Sequence, residues 1–124
     1  MSDSCRDKDL AGHAWSFAFM WGIPLAAAIV GSFLSPMPQT LVLATALFWA
    51  GGGCLLNATR CGRLHCFITG PLFVLAAVAV LLDGFNVATL PGGWILIAVV
   101  GGTCLAYHLE SYFATKYVGS SRER

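Results

Sequence analysis

Charge is the scarcest property of this chain. Only 10% of its 124 residues are Asp, Glu, Lys or Arg, against about 25% in an ordinary soluble domain. A net charge of +1 removes the basic face that nucleic acid requires and leaves no acidic tail. Also missing are a Walker phosphate loop, a Gly-x-Gly-x-x-Gly fingerprint, a Ser/His/Asp set and a His-Glu-x-x-His helix. There is no Cys-x-x-Cys-His signature of covalent haem either. The sequence therefore points away from an enzyme. No stretch alternates apolar and polar residues, which excludes a half-buried sheet. The odd set of five cysteines has no regular spacing and argues against a disulfide framework. Free or metal-binding thiols facing a reducing cytosol fit better.

What the chain has in abundance is apolar surface, at 57% of its residues. A domain this small buries too little of its surface to hide that much from water, so lipid is its natural solvent. A spanning helix needs about 20 mostly apolar residues. Windows of that kind run from Ala14 to Leu34, from about Gln39 to Asn57, from near Thr69 to Asp83-Gly84, and from about Gly92 to Phe113. The gaps between them are short, which favours antiparallel neighbours. The expected fold is all-α, an integral membrane bundle of four antiparallel transmembrane helices over residues 14–113. A cytoplasmic leader (1–13) and a cytoplasmic tail (114–124) flank it. Residues through Asp9 are polar and mixed in charge, unlike a cleavable signal peptide, so the first helix reads as retained.

Small residues recur inside the spans at Ala26-Ala27-Ala28, Gly51-Gly52-Gly53 and Gly101-Gly102. They let membrane helices approach closely, and tight packing accounts for them; a hinge or substrate path at the triple glycine is the alternative. Pro36 and Pro38 punctuate the chain after the first span. Pro24 is expected to kink that span. Thr69 reads as an N-cap of the third helix, with Pro71 in its first turn. Trp15, Trp21, Trp49 and Trp94 are scattered near span ends or on lipid-facing positions, and an aromatic belt explains most of them.

The basic residues set the orientation. Arg6 and Lys8 precede the first span, Arg60 and Arg63 lie between the second and third, and Lys116, Arg122 and Arg124 follow the fourth. The other two connections carry none. Both termini are therefore expected in the cytoplasm, in a multi-pass protein of a prokaryotic inner membrane.

That topology gathers the ligand-type residues at one end. Cys61, His65 and Cys66 fall in the cytoplasmic loop, and Cys5 and His13 precede the first span on the same side. His108 and Glu110 sit near the cytoplasmic end of the fourth span, with Cys54 and Cys104 about two turns inside. Thiolate and imidazole are the donors preferred by Hg, Cu(I) and Zn. Cys61 and His65 are four apart, so a helical turn would place them on one face, and Arg60 and Arg63 would favour the nucleophilic thiolate. The spacing matches no standard zinc pattern, and cysteine is also a common small filler of membrane helices. Ionisable groups in a span are costly and often functional. Beside Tyr107 and Tyr112, however, His108 and Glu110 can equally reach the interface as anchors. Asp83 reads as a solvated boundary of the third span.

The run Cys61-Gly62-Arg63-Leu64-His65-Cys66, followed by Thr69-Gly70-Pro71, resembles a segment of small prokaryotic four-span membrane proteins. The plan as a whole resembles the bacterial mercuric-ion transport proteins, which have few short spans with cysteines in a helix and in a cytoplasmic segment. The resemblance implies that thiols pass a metal ion to a cytosolic acceptor. The first helix here lacks the adjacent cysteine pair, which puts uptake from the outer side in doubt. The leading expectation is a protein that binds or transports a thiophilic metal ion through Cys61, His65 and Cys66. Cys54 and Cys104 would be intramembrane relay ligands and His108 an auxiliary one, with the second and fourth helices adjoining. A non-catalytic accessory subunit of a membrane complex and a thiol redox protein using Cys61 and Cys66 are the alternatives; the partners expected besides lipid are a second copy of the chain or a larger membrane complex.

Overall fold

The computed structural model describes Asp7, Asp9, Leu10 and residues 12–113. Cys5, Arg6, Lys8 and the tail with Lys116, Arg122 and Arg124 lie outside the described residues. Among the described residues there is no strand. Four helices are long and apolar enough to cross a membrane: α1 (Ala14–Gly31), α2 (Pro36–Cys61), α3 (Leu64–Gly84) and α4 (Gly92–Phe113). Their large apolar side chains point outward, among them Leu25, Val30, Leu75, Leu96 and Ile97. The interior is built mostly from alanine, glycine and cysteine. That inversion is what a lipid solvent permits, and the chain is a multi-pass membrane protein by length and composition of its helices.

Prolines shape the start of α2 and the interiors of α1 and α3. Ser35 is extended and Pro36 takes the first helical position, where its fixed φ suits a helix start and its missing N–H costs nothing. The two prolines after the first span thus begin α2 rather than separate it from α1, and α2 is longer than the Gln39–Asn57 window. In α1 the chain widens into a π-helical turn over Ala18–Gly22, immediately before Pro24. Pro24 has no N–H for the Met20 carbonyl and its ring crowds that turn; the wider turn absorbs the misfit.

Gly62 ends α2 in the left-handed conformation, φ 65°, with its N–H donating to the Ala58 carbonyl at 2.7 Å. Glycine takes that conformation without a Cβ penalty. Only Gly62 and Arg63 then separate α2 from α3, which starts at Leu64. The expected start near Thr69 is therefore corrected. Thr69 is a buried interior residue whose hydroxyl donates to the His65 carbonyl at 2.8 Å, and Pro71 lies inside the helix.

The helices pack in a sequence of neighbours: α1 on α2, α2 on α3, and α3 on α4. The α2–α3 seam is the tightest. A Cβ on Gly51 would stand 3.0 Å from the Gly70 carbonyl oxygen, and one on Gly70 would stand 2.8 Å from Leu55 Cγ. Gly52 faces open space. The expectation that the second and fourth spans adjoin gives way to this order, in which α3 is the helix that meets both.

Candidate functional site

The site lies where the short α2–α3 connection meets the residues before α1 and the last part of α4. Because the left-handed Gly62 breaks the helix, Cys61 and His65 do not share one helical face. Cys61 is the buried last residue of α2, while His65 and Cys66 occupy the buried first turn of α3. These side chains are helical and interior, which corrects the expectation that they lie in a loop. His65 is 1% exposed and Cys66 2%.

A closed ring of polar side chains surrounds them. Asn57 Nδ2 donates to Asp9 Oδ1 at 2.9 Å and lies 3.6 Å from Cys66 Sγ. Cys66 Sγ is 3.4 Å from His65 Nε2. His65 Nδ1 meets Glu110 Oε2 at 2.5 Å. Glu110 Oε1 is 3.6 Å from Arg63 Nε, and Arg63 Nη1 reaches Asp9 Oδ2 at 2.5 Å. The Leu10 N–H donates to Asn57 Oδ1 at 3.1 Å, which fixes the segment before α1 onto the ring. Buried polar groups in an apolar bundle need such mutual satisfaction. Two carboxylates face one guanidinium here, and the imidazole takes up the second carboxylate.

Tyr107 stacks on His65, with ring centroids 4.6 Å apart and planes 20° from parallel. A carboxylate on Nδ1 and a ring on its face lock the imidazole and leave Nε2 directed at Cys66. The tautomer with the proton on Nδ1 suits the carboxylate and gives Nε2 its lone pair. The Cys54 thiol, one helix away on α2, lies against the Cys66 thiol and the Thr69 hydroxyl. Met20 completes the surroundings from α1. A Cβ on Gly53 would stand 2.6 Å from Met20 Sδ, so the glycine makes room for the thioether. Met20, Trp21, Cys54, Asn57, His65 and Cys66 line a small cavity of about 10 Å³, near the size that holds one water molecule.

Chemically, this arrangement offers a sulfur with an adjacent base that is itself oriented by a carboxylate, the relationship that activates a nucleophile. The same carboxylate–imidazole backing is what a ligating histidine commonly has. Among the described residues no group of three or more His, Cys, Asp and Glu side chains is gathered so as to hold a metal ion.

Of the residues expected at a site, the structure brings Cys54, His65 and Cys66 together. Cys104 and His108 are exposed on α4, away from this buried cluster, and the expected meeting of Cys54 with Cys104 does not occur. Glu110, expected as either an interfacial anchor or a functional group in the span, is a buried member of the ring. Asp9, Asn57 and Met20 are not among the residues expected at a site, and Thr69 is expected only as a helix cap. Asn57, at the end of an apolar window, is the one signal among them that sequence could have supplied, because an amide in a span requires partners. Trp21 is not a belt residue; it is partly buried and packs on Cys54 and Cys66. Trp15, Trp49 and Trp94 are exposed. Asp83 is exposed as expected, and its Oδ1 accepts the Leu90 N–H at 3.0 Å.

No protein-family model, no curated protein and no solved structure matches the chain.

Proposed function

We propose that this membrane protein binds a thiophilic metal ion as cargo between Cys54 and Cys66. The observation that carries the reading is the contact of the two buried thiols across the α2–α3 seam, with His65 Nε2 at 3.4 Å from Cys66 Sγ. Hg(II) and Cu(I) accept two sulfur donors in a linear geometry and need no third protein ligand. Zn(II) takes four ligands in a tetrahedron, and this cluster does not assemble four. The Met20 thioether is a further soft donor beside the pair. The reading moves the site from Cys61, His65 and Cys66 to Cys54 and Cys66, with His65 beside them, and gives Cys104 and His108 no part in binding. It keeps the likeness to the mercuric-ion transport proteins as a proposal about cargo, with a cytosolic acceptor on the side of the basic segments. Both termini are proposed to face the cytoplasm of a prokaryotic inner membrane.

The test is titration of Hg(II), Cu(I) and Zn(II) into the purified protein in detergent under controlled reducing conditions, beside Cys54→Ser/Cys66→Ser and Cys61→Ser. Tight Hg(II) and Cu(I) binding that disappears in the double variant and survives in Cys61→Ser supports the reading. Equal weak binding in all three rejects it and leaves a non-catalytic accessory subunit of a membrane complex. A dithiol redox role is a second reading favoured by the same contact, with Cys54 replacing Cys61 as the partner of Cys66.

A further inference from the structure

A second, much larger cavity of about 610 Å³ lies between α1, α2, α3 and α4 and opens toward lipid beside Leu25 and Leu96. That volume lies within the range of small-molecule sites, roughly 300–1,000 Å³. Its walls are apolar, formed by the partly buried Leu43, Leu47, Val80, Ile95 and Val99, with the outward-facing Leu25 and Leu96 at its rim. Its polar residues, Gln39, Thr40 and Asp83, come from the start of α2 and the end of α3. Those positions are at the opposite end of the helices from Cys54, Cys61, His65 and Cys66.

At its inner end this cavity shares Trp21 and Ala50 with the small thiol-lined cavity. Trp21 stands edge-on to Phe73, with ring centroids 5.5 Å apart, and packs on the Cys54–Cys66 core. One indole therefore separates an apolar chamber from a pair of buried thiols. Trp21 sits in the π-helical turn before Pro24, a turn type found often at functional positions.

We propose that the large cavity is the route to the Cys54/Cys66 pair, and that the species using it is neutral and lipophilic with a thiol-reactive metal centre. This rests on the proposed thiol site and adds the class of its cargo. A bare divalent ion has nothing in that chamber to replace its hydration, and the burial cost of an unpaired charge excludes it. A neutral compound in which the metal carries an apolar substituent R and a leaving anion X loses little on entering apolar walls. At the inner end, Cys66 sulfur forms a bond to the metal and the metal–X bond breaks. X leaves as an anion, and the thiol proton passes to His65 Nε2. No oxidation state changes, so no other reactant is required.

The experiment follows modification of Cys66 in the full-length protein in lipid nanodiscs, by peptide mass spectrometry. The probes are a neutral phenylmercuric salt and a sulfonated arylmercurial, which shares the metal and the ring but is a permanent anion. The wild type is expected to react at least about tenfold faster with the neutral probe, because the permanent anion must leave water for apolar walls. Ala28→Trp, which fills the chamber far from the sulfurs, is expected to slow the neutral probe about tenfold. Leu43→Trp on the facing helix repeats the test should the first variant fold poorly, and Trp21→Ala is expected to speed it. Equal rates for both probes, or wild-type rates in both filled variants, overturn the route. Native mass spectrometry showing a lipid that excess phenylmercuric salt does not displace overturns it as well. Equilibrium binding of mercuric chloride, itself neutral, separates the two levels: filled variants that keep this binding and also react with the neutral probe at wild-type rates show that only the route has failed, and a wild type that lacks it shows that the thiol site itself has failed.

Discussion

His65 and Glu110 stand 45 residues apart in the chain and meet at 2.5 Å, Nδ1 to Oε2, where both side chains are buried. The contact ties the first turn of α3 to the last part of α4. It also decides which nitrogen of the imidazole faces Cys66. Removing the carboxylate strips His65 and Arg63 of a shared partner in a low-dielectric setting. Glu110→Ala is therefore expected to destabilise the bundle by about 3–5 kcal/mol, as when one member of a buried ion pair is lost. Glu110→Gln retains an acceptor for Nδ1 and is expected to lose less. Thermal unfolding of both variants in the same detergent checks the order, and equal stability of Glu110→Ala and wild type would count against a structural role for the ring.

Asp9 fixes the segment before α1 over the site. It is 2% exposed, paired with Arg63 and bonded to Asn57, and Leu10 beside it lines the thiol cavity. Asp9→Ala is expected to release that segment and raise the rate at which a charged, water-soluble alkylating reagent reaches Cys66. The expected gain is about tenfold or more, since opening that was opposed by one buried pair becomes cheap. An unchanged rate would show that residues 9 and 10 do not cover the site.

The span pattern was legible from hydropathy because lipid demands long apolar runs. The fourth helix matches its window, Gly92 to Phe113, at both ends. The α2–α3 junction was misread for a local reason. Pro71 looked like a helix start, yet the left-handed Gly62 had already turned the chain, so the helix began seven residues before the proline. That shift moved Cys61, His65 and Cys66 from a solvated loop into the interior. Four of the six members of the ring, Arg63, His65, Cys66 and Glu110, were legible as residue types near one membrane end. Its closure by Asp9 and Asn57 was not, because pairing across 48 residues leaves no mark in local spacing.

Gly51 and Gly52 are neighbours with opposite environments. A methyl on Gly51 would press on the Gly70 carbonyl and Phe73 across the α2–α3 seam, while one on Gly52 meets nothing within 4 Å. Gly51→Ala is expected to cost about 1–3 kcal/mol through overpacking. Gly52→Ala is expected to be neutral or to stabilise by about 0.5–1 kcal/mol, because alanine is the better helix former. A pair of melting curves distinguishes them. Equal effects would mean that the seam is looser than this packing.

Exposure separates the cysteines in the same way. Cys104 and His108 are exposed, whereas Cys54 and Cys66 are buried against each other. Cys104→Ser and His108→Ala are expected to leave Hg(II) affinity within about twofold of wild type, the scale of a change with no contact to the ligand. A loss as large as that of Cys54→Ser, read by competition with a colorimetric chelator, would restore the relay through α4.

Orientation offers a prediction that depends on both charge and the ring. Arg60 is exposed at the end of α2, whereas Arg63 is largely withdrawn into pairs with Asp9 and Glu110. During insertion neither pair has yet formed, so both arginines weigh on topology together with the basic residues near each terminus. Reporter fusions after residue 124 are expected to be active on the cytoplasmic side. Arg60→Glu alone is expected to leave that orientation unchanged, because lysines and arginines count far more than added acids and the remaining basic residues all lie on that side. A reporter active only on the outer side would invert the bundle. It would also place the thiol site at the outer face, and the cargo would then meet Cys54 and Cys66 before the apolar cavity instead of after it.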